Sequence, residues 1–115
     1  MDIGAKGLSE VNLTIPQNTS LTFTIVHTDS EGNVIDHSES IANMAFQSKD
    51  RKTFVDLDSC VTCSATEITV SIPPSATANL PIGKLNWDLI ITTIVDQIRL
   101  CYGIVNIIDT YAMDE

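Results

Sequence analysis

The segment Lys84-Leu-Asn-Trp-Asp-Leu-Ile-Ile-Thr92 decides the fold class, because a large apolar side chain occupies every second position from Leu85 onward. In an extended chain, one face carries Leu85, Trp87, Leu89 and Ile91, and the other carries Asn86, Asp88, Ile90 and Thr92. A period of two, filled with β-branched and aromatic residues, is typical of a half-buried strand. We therefore predict a strand at 84–92 with Trp87 in the core.

The residues that follow predict a partner for this strand. After a short turn, residues 97–108 are again rich in aliphatic side chains, so the two segments predict a long C-terminal hairpin. The side chains of the second strand expected to face the core are Ile98, Leu100, Tyr102 and Ile104. Cys101 is then expected on the opposite face.

The N-terminal half predicts further strands. Residues 11–15 and 21–25 alternate apolar side chains with polar ones, mostly threonine, around a turn at 16–19. Residues 28–33 contain the Asp, Asn and Gly of a hairpin loop. A less regular stretch follows, and its candidate core residues are Ile41, Met44 and Phe46.

Two more short strands are predicted at 53–57 and 67–72. Pro73 and Pro74 must end the second of them, and the small residues at 75–79 predict a single helical turn. About seven strands, spaced roughly ten residues apart without a sustained helical period, predict an all-β fold. The predicted architecture is an antiparallel β-sandwich of the Ig-like type with one short helical turn.

Length and charge limit the possible classes of protein. The chain has 115 residues and a mass of 12.5 kDa, which suits one hydrophobic core. We expect an N-terminal extension at 1–8, a sandwich domain at 9–109 and a C-terminal tail at 110–115. Fifteen acidic and six basic residues give a formal charge of -9. Because nucleic acids and anionic lipid surfaces attract basic proteins, neither nucleic acid nor membrane is expected as a partner.

Residues 76–89 connect the predicted strand at 67–72 to the C-terminal hairpin and carry a particular order of turn and strand residues. The order is a helical turn at 76–80, then Pro81 and Gly83, and then Trp87, Asp88 and Leu89. This order resembles the small β-sandwich modules of tailed-bacteriophage virions, including N-terminal modules of some baseplate and tail-fibre proteins. The resemblance covers about residues 9–108 and implies a virion structural protein made in the host cytoplasm. It departs at 92–97, where those modules carry a polar, glycine-containing loop.

The cysteine and histidine residues do not form a recognisable reactive site. Cys60 and Cys63 have the spacing of half a zinc site or of a redox motif, but only Cys101, His27 and His37 could complete a set of four ligands. We expect ordinary thiols in a turn, with a disulfide, a redox role or zinc as alternatives. The two histidines are expected at turns that meet solvent. No catalytic residue, metal site or cofactor is predicted, so the protein is not expected to be an enzyme.

Surplus apolar residues predict an interface. Ile90 opposes the core face of its strand, and Ile94 and Val95 occupy the predicted hairpin tip, while the last strand carries aliphatic residues on both faces. The predicted contact residues are Ile90, Ile94, Val95, Val105 and Ile107. The expected partners are other virion proteins and copies of this chain; coverage by a loop of the same domain is the alternative explanation. A sugar- or receptor-binding sandwich module is the alternative function.

Overall fold

The computed structural model describes residues 2–4, 7–78 and 80–109, which form ten strands, one short α-helix and one 3-10 turn. The strands are β1 (Asp2–Ile3), β2 (Ser9–Glu10), β3 (Leu13–Pro16), β4 (Leu21–His27), β5 (Ile41–Gln47), β6 (Phe54–Asp56), β7 (Val61–Cys63), β8 (Ile68–Ile72), β9 (Gly83–Thr92) and β10 (Gln97–Ile108). The helix α1 spans Pro74–Thr77, and the 3-10 turn spans Asp58–Cys60. The predicted C-terminal tail at 110–115 lies outside the described residues.

The strands form two sheets whose inward faces share one core. The four-stranded sheet has the order β1-β4-β8-β7. The six-stranded sheet has the order β2-β10-β9-β5-β6, and β3 also pairs with β10. Buried side chains from both sheets form a single apolar cluster, so the prediction of an all-β sandwich is confirmed. The long hairpin of β9 and β10 is also confirmed, with Trp87 opposite Gly103.

Trp87 ties the layers together. Its side chain is 2% exposed, as predicted, and its ring packs in a T-shaped arrangement against Phe23 of the four-stranded sheet, with 6.3 Å between ring centres and 78° between ring planes. The indole Nε1 donates a hydrogen bond to the carbonyl of Val11 at 2.8 Å. One side chain therefore contacts both sheets and the N-terminal segment.

Three strand pairs at the sheet edges are parallel, which the sequence pattern did not indicate. β1 runs parallel to β4, and β2 and β3 run parallel to β10. Between β2 and β3 the chain passes very close to Gly103, where a Cβ atom would collide with the carbonyl of Val11. Glycine in a strand interior often marks such an approach. The side-chain oxygen of Asn12 accepts a hydrogen bond from the N–H of Ile104 at 3.0 Å, so this backbone N–H has a partner where the strand pairing is interrupted.

A β-bulge reverses the predicted facing of the last strand after Leu100, which is buried as predicted. The register between β10 and β9 shifts between Arg99 and Cys101, so Leu100 and Cys101 are both fully buried. Beyond the bulge the odd-numbered residues face inward: Val105 and Ile107 are 0% exposed, whereas Ile104 is exposed. The prediction that Val105 and Ile107 present an outer contact surface is therefore wrong, because they belong to the core.

Three further segments differ from expectation. Residues 41–47 form a regular strand, β5, in which Met44 and Phe46 are buried as predicted but Ile41 is exposed. Part of the Cys60–Cys63 segment is strand β7. Within the predicted N-terminal extension, β1 joins the four-stranded sheet and Ile3 is buried in the core. The described part of that extension is thus integrated into the sandwich.

Candidate functional site

The tip of the β9–β10 hairpin presents two apolar side chains on a well-held turn. The Thr93 N–H donates to the carbonyl of Asp96 at 2.7 Å, and the Thr93 hydroxyl accepts the N–H of Asp96 at 2.9 Å. Ile94 and Val95 are 93% and 81% exposed. The structure therefore places these two predicted contact residues at the tip. Because the backbone is already ordered, a partner that covered them would lose little backbone entropy.

A hollow of about 460 Å³ lies beside the tip, between it and the loop that leads into β5. It is lined by Asp36, Ser38, Glu39, Ser40, Thr93 and Ile94. Hydrogen bonds from the hydroxyl and the N–H of Ser38 lower the pKa of Asp36, so this carboxyl is ionised at neutral pH. The apolar tip thus adjoins an acidic hollow.

The outward side of the six-stranded sheet, here called the mixed face, combines apolar, aromatic and charged side chains. Its side chains include Ala45, Phe54, Asp56, Asp88, Ile90, Arg99, Tyr102 and Ile104, together with polar residues such as Asn43, Gln47, Lys84 and Asn86. Ala45 lies between Asp56 and Asp88 in register, and Ile90 lies between Asn43 and Arg99. Ile90, a predicted contact residue, is therefore on this face, half-buried among its neighbours.

Arg99 is held above the mixed face. Its guanidinium lies 3.6 Å from the carboxylate of Asp88 and 4.9 Å from the ring centre of Tyr102. Both partners of the ion pair are substantially exposed, so the pair contributes little stability. The arrangement shows that a guanidinium fits on this face between a carboxylate and an aromatic ring.

Asp58 has a structural role at the edge of the same sheet. Its carboxylate accepts the backbone N–H of Met44 and the side-chain amide of Asn43, each at 2.8 Å. These two hydrogen bonds lower the pKa of Asp58. Strand β6 pairs only with Ala45–Gln47 of β5. Beyond the end of β6, the Asp58 carboxylate accepts the β5 backbone N–H of Met44, which a neighbouring strand would otherwise bind.

The outward side of the four-stranded sheet, here called the hydroxyl face, is different. Apart from Asp2 and Val26 at the β1 edge, its described side chains are Thr22, Thr24, Thr62, Thr69 and Ser71. Thr24, Thr69 and Thr62 stand in one row across three strands. The hydroxyls of Thr22 and Ser71 lie 3.3 Å apart, within hydrogen-bonding distance.

The two histidines are buried together, so the prediction that they meet solvent is wrong. Each is 2% exposed, and their parallel rings join His27 Nδ1 to His37 Nε2 at 2.9 Å. His37 Nδ1 lies 2.9 Å from the hydroxyl of Ser40. Burial, and then the neighbouring His27, lower the pKa of His37, while Asp36 acts in the opposite direction. The pair links the end of β4 to the loop before β5.

The three cysteines are free thiols. Cys101 lies in the core, where burial and the negative charge of Asp88 raise its pKa to about 12. Burial also raises the pKa of Cys63. Both thiols are therefore protonated at neutral pH, and thiolate chemistry needs the deprotonated form. Among residues 2–4, 7–78 and 80–109, no group of three or more His, Cys, Asp or Glu is placed to hold a metal ion.

The predicted contact residues are thus divided among three places: Ile94 and Val95 at the tip, Ile90 on the mixed face, and Val105 and Ile107 in the core. Sequence reasoning missed Phe54, which is 62% exposed on the mixed face. The alternation of Phe54, Val55 and Asp56 was visible, but three residues cannot show which side of a strand faces the core.

Comparison with known proteins supplies a fold relative. No protein-family model and no curated protein matches the sequence. A solved structure, the N-terminal domain of phage TP901-1 ORF48, superimposes with a TM-score of 0.57 at 8% sequence identity, covering 94% of this chain and 95% of that chain. At this identity the likeness shows a shared fold alone. The sequence resemblance to phage sandwich modules is therefore matched, at the level of fold, by a domain of a phage protein.

The helical segments in the described part of the chain are too short to cross a membrane.

Proposed function

We propose that this protein is a non-enzymatic structural component of a tailed-bacteriophage virion, in the tail, baseplate, fibre or capsid, and that it works by binding neighbouring subunits. The observation that carries the proposal is the hairpin tip, where Ile94 and Val95 stand almost fully exposed on an ordered turn. The fold it shares with a domain of a phage protein supports the same class of function.

The tip has the properties of a contact anchor. Fully burying an aliphatic side chain of this size contributes about 1.5–3 kcal/mol, so two of them can anchor a small interface. Polar and acidic groups at Asp36, Glu39 and Asp96 surround the tip, as a polar rim surrounds the apolar centre of many interfaces. The charge of -9 opposes nonspecific association between copies, because like charges repel.

Particle incorporation tests the proposal. In the source phage, the double variant Ile94→Asp/Val95→Asp should remove the protein from purified virions, as measured by mass spectrometry of the particles. The variant should still fold, because both side chains are exposed in the isolated chain.

The matched control is Ile82→Asp. Ile82 is also exposed, but it precedes β9 at the end of that strand opposite to the tip. The control should be incorporated normally. Normal incorporation of the tip variant, or absence of the unaltered protein from virions, would contradict the proposal.

A further inference from the structure

The mixed face contains a hollow whose floor is Ala45. The row Asp56, Ala45 and Asp88 crosses three neighbouring strands in register. Since adjacent strands are about 4.8 Å apart, the backbone positions of Asp56 and Asp88 are roughly 10 Å from one another. The methyl group between them is too short to fill this gap, and two adjoining depressions, of about 240 and 320 Å³, share Ala45, Phe54 and Asp88 as lining residues.

The walls of the hollow combine two kinds of chemistry. Phe54 and Ile90 supply apolar surface on opposite sides of the first depression, while Asp56 and Asp88 supply negative charge. Lysine and arginine side chains have the complementary composition, with an apolar stem and a cationic head. A neutral apolar side chain would leave Asp56 without a counter-charge as the surface is covered, whereas Asp88 already pairs with Arg99.

Arg99 supplies an intramolecular precedent on the same face. Its guanidinium lies beside Asp88 and over Tyr102, at one side of the second depression. The chain therefore already uses a carboxylate and an apolar or aromatic wall to hold a guanidinium here. Asp56 and Phe54 repeat this combination on the other side of Ala45, and none of the described residues that line the first depression is a lysine or an arginine.

We infer that the mixed face docks a different protein, which inserts an arginine or lysine side chain, flanked by apolar residues, into the hollow above Ala45. Charge favours such a partner over a second copy of this chain, because the copy would bring a net charge of -9 to an acidic row. The inference names the chemistry of a partner and so rests on the proposed function for its biological setting. Its chemistry can be tested on the isolated protein.

The experiment is an NMR titration of the full-length protein with a short blocked peptide of alternating leucine and arginine. The comparison peptide carries citrulline, the neutral isostere, in place of arginine. The arginine peptide should produce saturable shifts of the backbone amides of Ala45, Phe54 and Asp88, and these shifts should diminish with added salt. The citrulline peptide should produce none.

Two variants separate the charge of the hollow from its shape. Asp56→Asn/Asp88→Asn should weaken binding of the arginine peptide by about tenfold or more, because charge-assisted hydrogen bonds are lost. An asparagine oxygen can still accept the N–H of Asp58, as Asp56 does, so this edge should remain folded. Ala45→Leu retains both carboxylates but fills the hollow. This variant should abolish the amide shifts that the arginine peptide produces.

The matched control is Glu31→Gln/Glu67→Gln, which removes the same net charge at two exposed positions outside the mixed face and should bind like the unaltered protein. Equal shifts with both peptides, equal weakening by both double variants, or unweakened binding to Ala45→Leu would overturn the inference. So would concentration-dependent shifts of this face without peptide, because they would identify a second copy as the occupant.

The two proposals can fail separately. If the tip variant is lost from virions but the arginine peptide does not bind, the proposed function stands and the docking chemistry is wrong. If the peptide binds the hollow but the protein is absent from virions, the docking chemistry stands and the virion role is wrong.

Discussion

The two outward faces of the sandwich are built on the same inward pattern but differ in chemistry. On the hydroxyl face, strands β4, β8 and β7 present a row of threonines, whose hydroxyls can hydrogen-bond to solvent and to one another. On the mixed face, Tyr102 and Arg99 are residue types that often dominate binding energy, and Phe54 adds an aromatic ring of a type enriched at interfaces. The inward residues therefore decide that a sandwich forms, and the outward residues decide which side of it has anchors for a partner.

The largest expected effect comes from disrupting the pairing of β2 and β3 with β10, which forms one edge of the six-stranded sheet. Gly103→Ala should destabilise the protein by about 3 kcal/mol or more, because the new Cβ would collide with the Val11 carbonyl and the backbone φ of +159° disfavours a side chain. Urea unfolding followed by circular dichroism measures the change. The control Gly4→Ala, where an added Cβ meets open space, should change stability little.

A smaller effect is expected at the other edge of the mixed face. Asp58→Ala removes two hydrogen bonds to β5 and should cost about 1–2 kcal/mol in the free energy of unfolding. Amide hydrogen exchange should locate the loss at Met44. Asp50→Ala, which removes a turn carboxylate in the exposed 48–52 loop, should have a smaller effect; equal losses would contradict a special role for Asp58.

The buried pair of His27 and His37 should make stability sensitive to pH, with a smaller effect than Asp58→Ala. The pKa of His37 is lowered in the folded state, so the unfolded chain binds the proton first. Its stabilising contribution is present above the unfolded pKa of about 6.5 and is lost as pH falls towards the folded value. Thermal unfolding should therefore show a falling Tm between about pH 7 and pH 5.

The His37→Gln variant should flatten this part of the pH profile. The aspartates with lowered pKa, Asp29, Asp36, Asp50 and Asp58, lose their contributions only as pH falls below the unfolded carboxyl value of 3.8. A profile that is unchanged in His37→Gln would show that the histidine pair does not couple protonation to stability.

The smallest effect is expected on the hydroxyl face. Thr22→Val keeps the shape and strand preference of an exposed residue while removing its hydroxyl contact with Ser71, so stability should change by less than about 0.5 kcal/mol. The same variant should leave peptide binding at the mixed face unaltered. A large loss of stability would show that the threonine rows hold this sheet together, and the contrast between the faces would need revision.

Much of the candidate site was within reach of sequence reasoning where local pattern decides the outcome. Ile94 and Val95 could be placed at a tip because they fall between two long alternating segments. Val105 and Ile107 could not be assigned correctly, because one extra residue at the Arg99–Cys101 bulge exchanges the two faces of the strand. The hollow above Ala45 was also out of reach, since it depends on which residues of three separate strands stand in register.

The sequence by itself determined several of the elements: the period of the regular strands, the proline stop at Pro73 and Pro74, the helical turn after it, and the terminal hairpin. These follow from interactions between residues near one another in the chain. Only the tertiary structure decided the parallel pairing of β2 and β3 with β10 around Gly103, the burial of His27 against His37, and the composition of the two outer faces. Such features depend on pairing between residues far apart in the chain, and a local pattern of alternation does not specify the partner or the register.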